Sequence, residues 1–200
     1  MDKEFEKLLV EYVNTGSAAE RKTIDQTLWQ KFGQKKVVFV MDMSGFSLLT
    51  QKFGIVHYLS MVKRMQITTK PIIEAHGGEV VKFEADNCFA VFDEVQKSIE
   101  AGIALNAAFA AINSHSEEKF DIRVSIGIDY GDVLLIGGPD YFGDAVNRAC
   151  KLGEDIAGPG EIYVNRVAFD MMPVEAGFQG EAQELSISGI HLKAIKMTVR

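Results

Sequence analysis

The chain has 200 residues, of which 47% are hydrophobic and 24% are charged, so it is long and apolar enough to fold around a sizeable core. This composition excludes disordered and fibrous proteins. With 21 basic and 28 acidic residues the net charge is −7, which argues against a protein that binds nucleic acid through a broad basic surface.

Two further features bear on the compartment. The first residues lack the apolar stretch of a secretion signal, and no aliphatic run approaches the roughly 20 residues that cross a bilayer. Cys88 and Cys150 lie among apolar neighbours, without CxxC spacing or a nearby group of histidines. We therefore expect a cytoplasmic protein with no membrane span, no disulfide framework and no zinc site.

Residues 1–36 are predicted to form a helical extension. Apolar residues recur at helical spacing over 5–12, which predicts a first helix. Ser17, followed three residues later by Glu20, is typical of a capping box that opens a second helix, and Gly33 is expected to end it. Packing on the main domain, a dimer seam and regulation are alternative roles for this extension.

Residues 37–200 are predicted to form the main domain. Its elements are expected in the order strand (37–41), helix (54–76), strands (79–84 and 88–92), helix (98–113), a hairpin (121–130 and 133–136), helix (144–156) and short strands (161–164, 185–187 and 194–199). This order predicts an α+β fold with a ferredoxin-like βαββαβ core, in which an antiparallel sheet carries helices on one face.

Two aspartates are placed for metal chemistry. Asp42 ends the first strand and Asp86 lies in a hairpin turn, so the two carboxylates converge if the hairpin flanks that strand. Beside them, the backbone N–H groups of Ser44, Gly45 and Phe46 could meet a polyphosphate. Mg²⁺ takes oxygen ligands and keeps positions open for phosphate. The alternative is that Asp42 caps a helix and Asp86 only makes a turn.

Four segments resemble the sequence signatures of class III nucleotidyl cyclases. Residues 39–46 resemble the F-x-x-D-x-x-G-F opening and residues 77–92 the G-G-x-x-x-K-x-x-G-D hairpin. Residues 124–131 resemble R-x-G-I-x-x-G, and residues 140–147 resemble D-x-x-G-x-x-V-N. All four occur in order and with fitting spacing, so the resemblance implies the class III cyclase fold.

The resemblance implies a metal site. Asp42 and Asp86 match the two metal-binding aspartates, and Met43 would offer its main-chain carbonyl. Each site would hold two divalent cations, Mg²⁺ or Mn²⁺. The implied reaction converts ATP to 3′,5′-cyclic AMP and pyrophosphate.

The resemblance also assigns the substrate-binding residues. Lys82 and Asp140 match the pair that reads the base, and Asn147 matches the asparagine that orients the ribose. Lys151 stands where an arginine normally supports the α-phosphate. In this family the site is shared between two protomers, with the metal-binding aspartates from one and the base-reading pair and the asparagine from the other, which implies a homodimer with two equivalent sites.

The chemistry of Lys82 and Asp140 suits adenine. An ammonium only donates and a carboxylate only accepts, which matches adenine N1 and the N6 amino group. Guanine presents these groups in the opposite sense, and a buried mispaired polar group costs about 1–3 kcal/mol. Cytosine offers the adenine order, so CTP stays an alternative substrate. Alternatively, Lys82 is a solvated strand lysine and Asp140 only begins a loop.

Several residues depart from the family signatures. Lys151 replaces the arginine, Ala85 replaces a glycine before Asp86, and Ser188 replaces a lysine that usually binds the triphosphate. Lys193 and Lys196 are candidate substitutes for that lysine. These departures motivate a second hypothesis, in which the domain binds nucleotide or a partner but turns over slowly.

Overall fold

A computed structural model describes residues 2–137, 140–173, 176–187 and 189–198 of the chain. The α-helices are α1 (Lys3–Asn14), α2 (Ala18–Phe32), α3 (Phe46–Phe53), α4 (Ile55–Ala75), α5 (Val95–Asn113), α6 (Asp144–Cys150) and α7 (Arg166–Phe169). The strands are β1 (Gly33–Met43), β2 (Glu79–Glu84), β3 (Asn87–Phe92), β4 (Val124–Ile136), β5 (Asp140–Phe142), β6 (Ile162–Asn165), β7 (Gly180–Ile187) and β8 (Ile190–Met197). A 3₁₀ turn spans Glu118–Phe120 and a π-helix spans Lys151–Ile156.

The strands form one sheet in the order β2-β3-β1-β4-β6-β8-β7, and β5 pairs with the end of β4. All pairs are antiparallel except β4 with β6. The first four strands with α4 and α5 make the βαββαβ arrangement, so the predicted fold class is confirmed. None of the helices in the described part of the chain combines the length and apolarity that a bilayer crossing requires.

Helices cover both faces of the sheet. Phe39 and Met41 of β1 belong to the main core under α4 and α5, whereas Val38 and Val40 belong to a second cluster under α6. The expectation of helices on one face therefore holds for α4 and α5 but is wrong for α6. The reason is that β1 is apolar on both sides, so each face of the strand must be covered.

The predicted hairpin over 121–136 is wrong. The chain runs through this region as the single strand β4, which pairs with the whole of β1 from Gly33↔Leu134 to Met43↔Val124. Gly131 makes no turn; instead its bare backbone lets α6 approach, since an added Cβ would lie 3.1 Å from the Ala145 Cβ. β1 correspondingly begins four residues earlier than expected.

The helices mostly follow the prediction. The helix expected over 54–76 is α4, preceded by the unexpected α3 and separated from it by Gly54 with φ of 86°. The helix expected over 144–156 divides into α6 and the π-helix. The terminal hairpin is longer than predicted, and residues 199–200 lie outside the described part.

The N-terminal helices lie against the far end of β4. Phe5 of α1 and Leu28 of α2 are buried with Ile136, and the Phe5 ring stacks on Phe142 of β5 with centroids 6.4 Å apart. Gly33 ends α2 with φ of −74° and directly begins β1. No linker therefore separates the extension from the sheet.

Candidate active site

Two of the residues predicted to form the site, Asp42 and Lys82, lie on the face of the sheet that α6 covers. Asp42 of β1 and Glu84 of β2 are both paired with Asn87 of β3. Lys82 is paired with Phe89, whose side chain belongs to the cluster under α6. Directly paired residues point to the same face of a sheet. The ends of β1 and of the β2–β3 hairpin therefore form one edge of the site.

The structure brings Asp42 and Asp86 together. Burial, and then the negative charges of Asp86 and Glu154, raise the pKa of Asp42 from 3.8 to about 7. Burial also raises the pKa of Asp86, while the hydrogen bond from the Tyr58 hydroxyl opposes the increase. The named electrostatic neighbours of Asp42 are both anionic. The pair thus has the electrostatics that a divalent cation would relieve.

Two residues at this edge were not predicted. Tyr58 on α4 donates to the Asp86 carboxylate. Glu154 reaches the edge from the π-helix, and its Oε1 accepts a long hydrogen bond of 3.5 Å from Asn87 Nδ2. These residues approach the aspartates only through tertiary packing, so no local sequence pattern identifies them.

The oxygen donors at this edge fit a divalent cation. Asp42, Asp86 and the Met43 carbonyl are suitable ligands, and Asn87 Oδ1 is buried without a hydrogen-bond partner in the described part of the chain. Residues 2–137, 140–173, 176–187 and 189–198 contain no cluster of three or more His, Cys, Asp or Glu side chains that could hold a metal by themselves. Water and phosphate oxygens would complete the coordination.

The loop after β1 differs from the prediction. The Ser44 N–H donates to the Arg123 carbonyl at 2.8 Å, so the expectation that it is free for phosphate is wrong. The donation extends the pairing of β1 with the chain before β4. Gly45 has φ of 81° and α3 begins at Phe46, which leaves the first-turn N–H groups of α3 without intrahelical partners.

The turn before Asp86 is strained. Ala85 has φ of 52°, in the left-handed region that favours glycine. The turn therefore keeps the conformation for which the family signature uses glycine, at a cost of about 1–2 kcal/mol.

Lys82 and Asp140 come together within one protomer. The Lys82 Nζ lies 3.9 Å from Asp140 Oδ1 and 2.7 Å from Glu84 Oε2. It also lies 5.2 Å from the centre of the Phe89 ring. The Lys82 side chain is 27% exposed, so this ammonium is not fully solvated. Glu84 is a further acceptor beside the pair that the sequence prediction did not include.

Lys151 follows Asn147 by about one helical turn. Asn147 is exposed on α6 and Lys151 is the first residue of the π-helix. The Lys151 Nζ lies 2.8 Å from Asp155 Oδ2, an i,i+4 ion pair. In the free protomer the lysine charge is therefore neutralised by its own helix.

The candidates for the triphosphate lysine are engaged elsewhere. Ser188 lies outside the described residues. Lys193 pairs with Glu184 at 3.2 Å, and Lys196 pairs with Glu161 on β6. Neither lysine side chain is thus shown near the other predicted site residues.

Replacing Asp42 with asparagine is expected to stabilise the metal-free protein at high pH. The pKa of about 7 in the fold exceeds the ordinary 3.8, so ionisation of Asp42 destabilises the fold increasingly as the pH rises through this interval. Asparagine has no such ionisation. The melting temperature of the variant in EDTA should exceed that of the parent at pH 8, and the difference should shrink toward pH 5.

The exposed Asp25 of α2 gives the matched control, Asp25→Asn. This variant should show the same small difference from the parent at both pH values. An Asp42→Asn difference that did not change with pH would contradict the close approach of the two carboxylates.

Comparison with known proteins agrees with the resemblance. Residues 29–197 match the family described as the adenylate and guanylate cyclase catalytic domain. A protein of Mycobacterium tuberculosis named Uncharacterized protein Rv2212 is 29% identical over 132 residues, which are 66% of this chain and 33% of that protein. Putative adenylate cyclase 3 of Rhizobium meliloti is 27% identical over 128 residues, 64% of this chain and 22% of that protein.

The fold also matches a solved structure. The guanylyl cyclase Cya2 superposes with a TM-score of 0.70 at 16% identity, covering 82% of this chain and 92% of that one. The chain spans a third or less of the length of the two curated relatives. Because the family match covers β1 to β8 and the fold agrees, the chain belongs to the family of adenylate and guanylate cyclase catalytic domains.

Proposed function

We propose that the protein is an adenylate cyclase that converts ATP to 3′,5′-cyclic AMP and pyrophosphate. The observation that carries the proposal is the pairing of Lys82 with Asp140, whose charged groups lie 3.9 Å apart. The ammonium can donate to adenine N1 while the carboxylate accepts from the N6 amino group. The name of the Rhizobium meliloti relative supports the choice of ATP, whereas the Cya2 title names a guanylyl cyclase.

The residues have distinct tasks in this proposal. Mg²⁺ or Mn²⁺ ions held by Asp42, Asp86 and the Met43 carbonyl would favour ionisation of the ribose 3′-hydroxyl and neutralise the leaving pyrophosphate. Asn147 hydrogen-bonds the ribose and keeps the 3′-oxygen in line with the α-phosphorus. Lys151 meets the charge that develops on the α-phosphate oxygens.

The electrostatics support a site shared between two copies of the chain. The named charged neighbours of Asp42 are Asp86 and Glu154, both negative. A polyphosphate placed there needs positive charge from side chains as well as from metal ions. A second protomer that presents its Asn147 and Lys151 to this edge would supply it, so we propose a homodimer with two equivalent sites.

The proposal also bears on the compartment. Cys88 and Cys150 are both free thiols. Unpaired cysteines and an ATP substrate suit a reducing, nucleotide-rich compartment, so we propose a cytoplasmic location.

Lys151→Ala is expected to lower kcat by roughly ten- to a thousandfold with little change in the KM for ATP, because the lysine acts mainly in the transition state. Lys151→Arg should stay active. Asp155→Ala is the matched control, since it breaks the same ion pair but keeps the cation. Steady-state kinetics of the three variants provide the measurement.

Equal, small effects of Lys151→Ala and Asp155→Ala would contradict a catalytic role for Lys151. The ion pair would then be only a surface contact, worth about 0.3–0.5 kcal/mol. That result, with low basal turnover, would favour the second candidate function, a nucleotide-binding module. The 2.8 Å contact between Lys151 and Asp155 favours this second candidate, because it engages the lysine within its own helix.

The function itself is tested with the purified protein. Each of the four nucleoside triphosphates is incubated with Mg²⁺ or Mn²⁺, and the product mass is read directly. Cyclic AMP as the main product supports the proposal. Cyclic CMP would support the pyrimidine alternative, cyclic GMP would show that the Lys82–Asp140 argument is wrong, and nucleotide binding without product would support the binding module.

A further inference from the structure

Asp129 is a buried charge that no step of the proposed reaction uses. It lies on β4 under α6, and its side chain is 1% exposed. Its Oδ2 accepts from Arg148 Nε at 2.5 Å, and its Oδ1 accepts from the Tyr130 N–H at 2.7 Å. Arg148 belongs to α6 and its side chain is 33% exposed. One ion pair thus joins the sheet to the helix that carries Asn147.

Stability alone does not account for this pair. The positions beside Asp129 on the same face are apolar, such as Val38 on the neighbouring strand and Val133 farther along β4. Removing the Asp129 carboxylate and part of the Arg148 guanidinium from water costs about as much free energy as their attraction returns, and apolar side chains of similar volume often stabilise a fold as well or better. An ion pair also fixes the relative orientation of its two groups, because its hydrogen bonds form in only one orientation.

The rotation of α6 about its own axis needs such a constraint. The helix has seven residues and contacts the sheet mainly through small ones. An added Cβ on Gly127 would lie 2.1 Å from the Ala149 carbonyl oxygen, and one on Gly131 would lie 3.1 Å from the Ala145 Cβ. Contacts between bare backbone and alanine leave few interlocking side chains to resist rotation of the helix about its axis.

Rotation of α6 would move the catalytic groups directly. Arg148 follows Asn147 in sequence and precedes Lys151 by three residues, so all three lie within about one turn. Side-chain atoms about 6 Å from the axis move about 1 Å when a helix rotates by about 10°. A misplacement of 1 Å can reduce the rate about a hundredfold.

We propose that the Asp129–Arg148 ion pair is a positioning device, which sets the rotation of α6 and thereby places Asn147 on the ribose and Lys151 on the α-phosphate. Both residues are positioning residues, since neither contacts the substrate in this arrangement. The inference rests on the proposed cyclase function.

The test is Arg148→Lys, with Arg166→Lys as the matched control. Lysine keeps a positive charge beside the buried Asp129 but lacks the planar guanidinium that fixes the orientation of the ion pair. Arg166 also pairs with an aspartate, Asp170, but both of these side chains are about half exposed. We expect Arg148→Lys to lower kcat about ten- to a hundredfold with little change in ATP KM and an unchanged near-UV circular dichroism spectrum, and Arg166→Lys to change neither.

A second arm repeats Arg148→Lys in the Lys151→Ala background. If the ion pair acts through the catalytic side chains, the added loss there should be several-fold smaller than in the parent. An equal loss in both backgrounds, an unchanged kcat, or a loss that follows the unfolded fraction would overturn the inference while the parent stays an active cyclase. A parent that forms no cyclic nucleotide from any nucleoside triphosphate would overturn the proposed function and this inference with it.

Discussion

Asp42→Asn and Asp86→Asn are each expected to reduce cyclic nucleotide formation by at least about a thousandfold, equivalent to about 4 kcal/mol of lost transition-state stabilisation. Each change removes an anionic side chain that we propose as a metal ligand and keeps its shape. The main chain of Asp42 stays paired with Asn87 and Ser125, so the sheet should be unaffected. Product formation at saturating Mn²⁺ and far-UV circular dichroism are the two measurements.

The exposed Asp93 provides the control for this experiment. Asp93→Asn breaks a surface ion pair with Lys36 and should leave turnover unchanged. Turnover within tenfold of the parent in both Asp42→Asn and Asp86→Asn would show that the two carboxylates do not bind the catalytic metal ions.

The second large effect is the restoration of activity when two inactive variants are mixed. Asp42→Asn mixed with Lys82→Ala should regain activity, because a heterodimer assembles one intact site from the unmodified Asp42 of one protomer and the unmodified Lys82 of the other. Equal mixing makes half of the dimers mixed with one of two sites intact, so about a quarter of the parent activity is expected. Each variant alone should be almost inactive.

A second mixture of two variants is the control for this rescue. In the proposed shared site, Asp42 and Asp86 belong to the same half, so mixing Asp42→Asn with Asp86→Asn should restore nothing. Subunit exchange is followed independently with two differently tagged copies. No rescue in the first mixture despite demonstrated exchange would rule out the shared site, and rescue in both mixtures would show that the site is divided differently.

The convergence of Asp42 and Asp86 was predictable because it depends on topology. A buried strand that ends in Asp42, next to a hairpin that turns at Asp86, needs only the βαββαβ order to bring the two together. The proximity of Lys82 and Asp140 was instead implied only by the resemblance, because no strand was predicted at Asp140, which the structure places in β5. The order of the elements along the chain and the alternation of side chains are visible in local sequence patterns, which is why the convergence of the two aspartates could be predicted.

The remaining site residues depend on packing between distant elements. Tyr58 reaches Asp86 from the first turn of α4, and Glu154 approaches Asp42 from the π-helix that follows α6. No periodicity marks either position. The error over 121–136 has a similar origin, because Gly131-Asp132 has the composition of a turn, but pairing with β1 keeps the strand extended.

The contact between Gly127 and Gly153 limits which sequences this domain can adopt. An added Cβ on Gly127 would lie 2.4 Å from the Gly153 nitrogen, and one on Gly153 would lie 2.9 Å from the Gly127 nitrogen. Neither position can accept even a methyl group unless the π-helix moves away from β4 and takes Lys151 and Glu154 with it. Homologous chains can therefore exchange side chains on the neighbouring helix, as the lysine in place of arginine at position 151 illustrates, but substitution at these two glycines should be almost absent among active members.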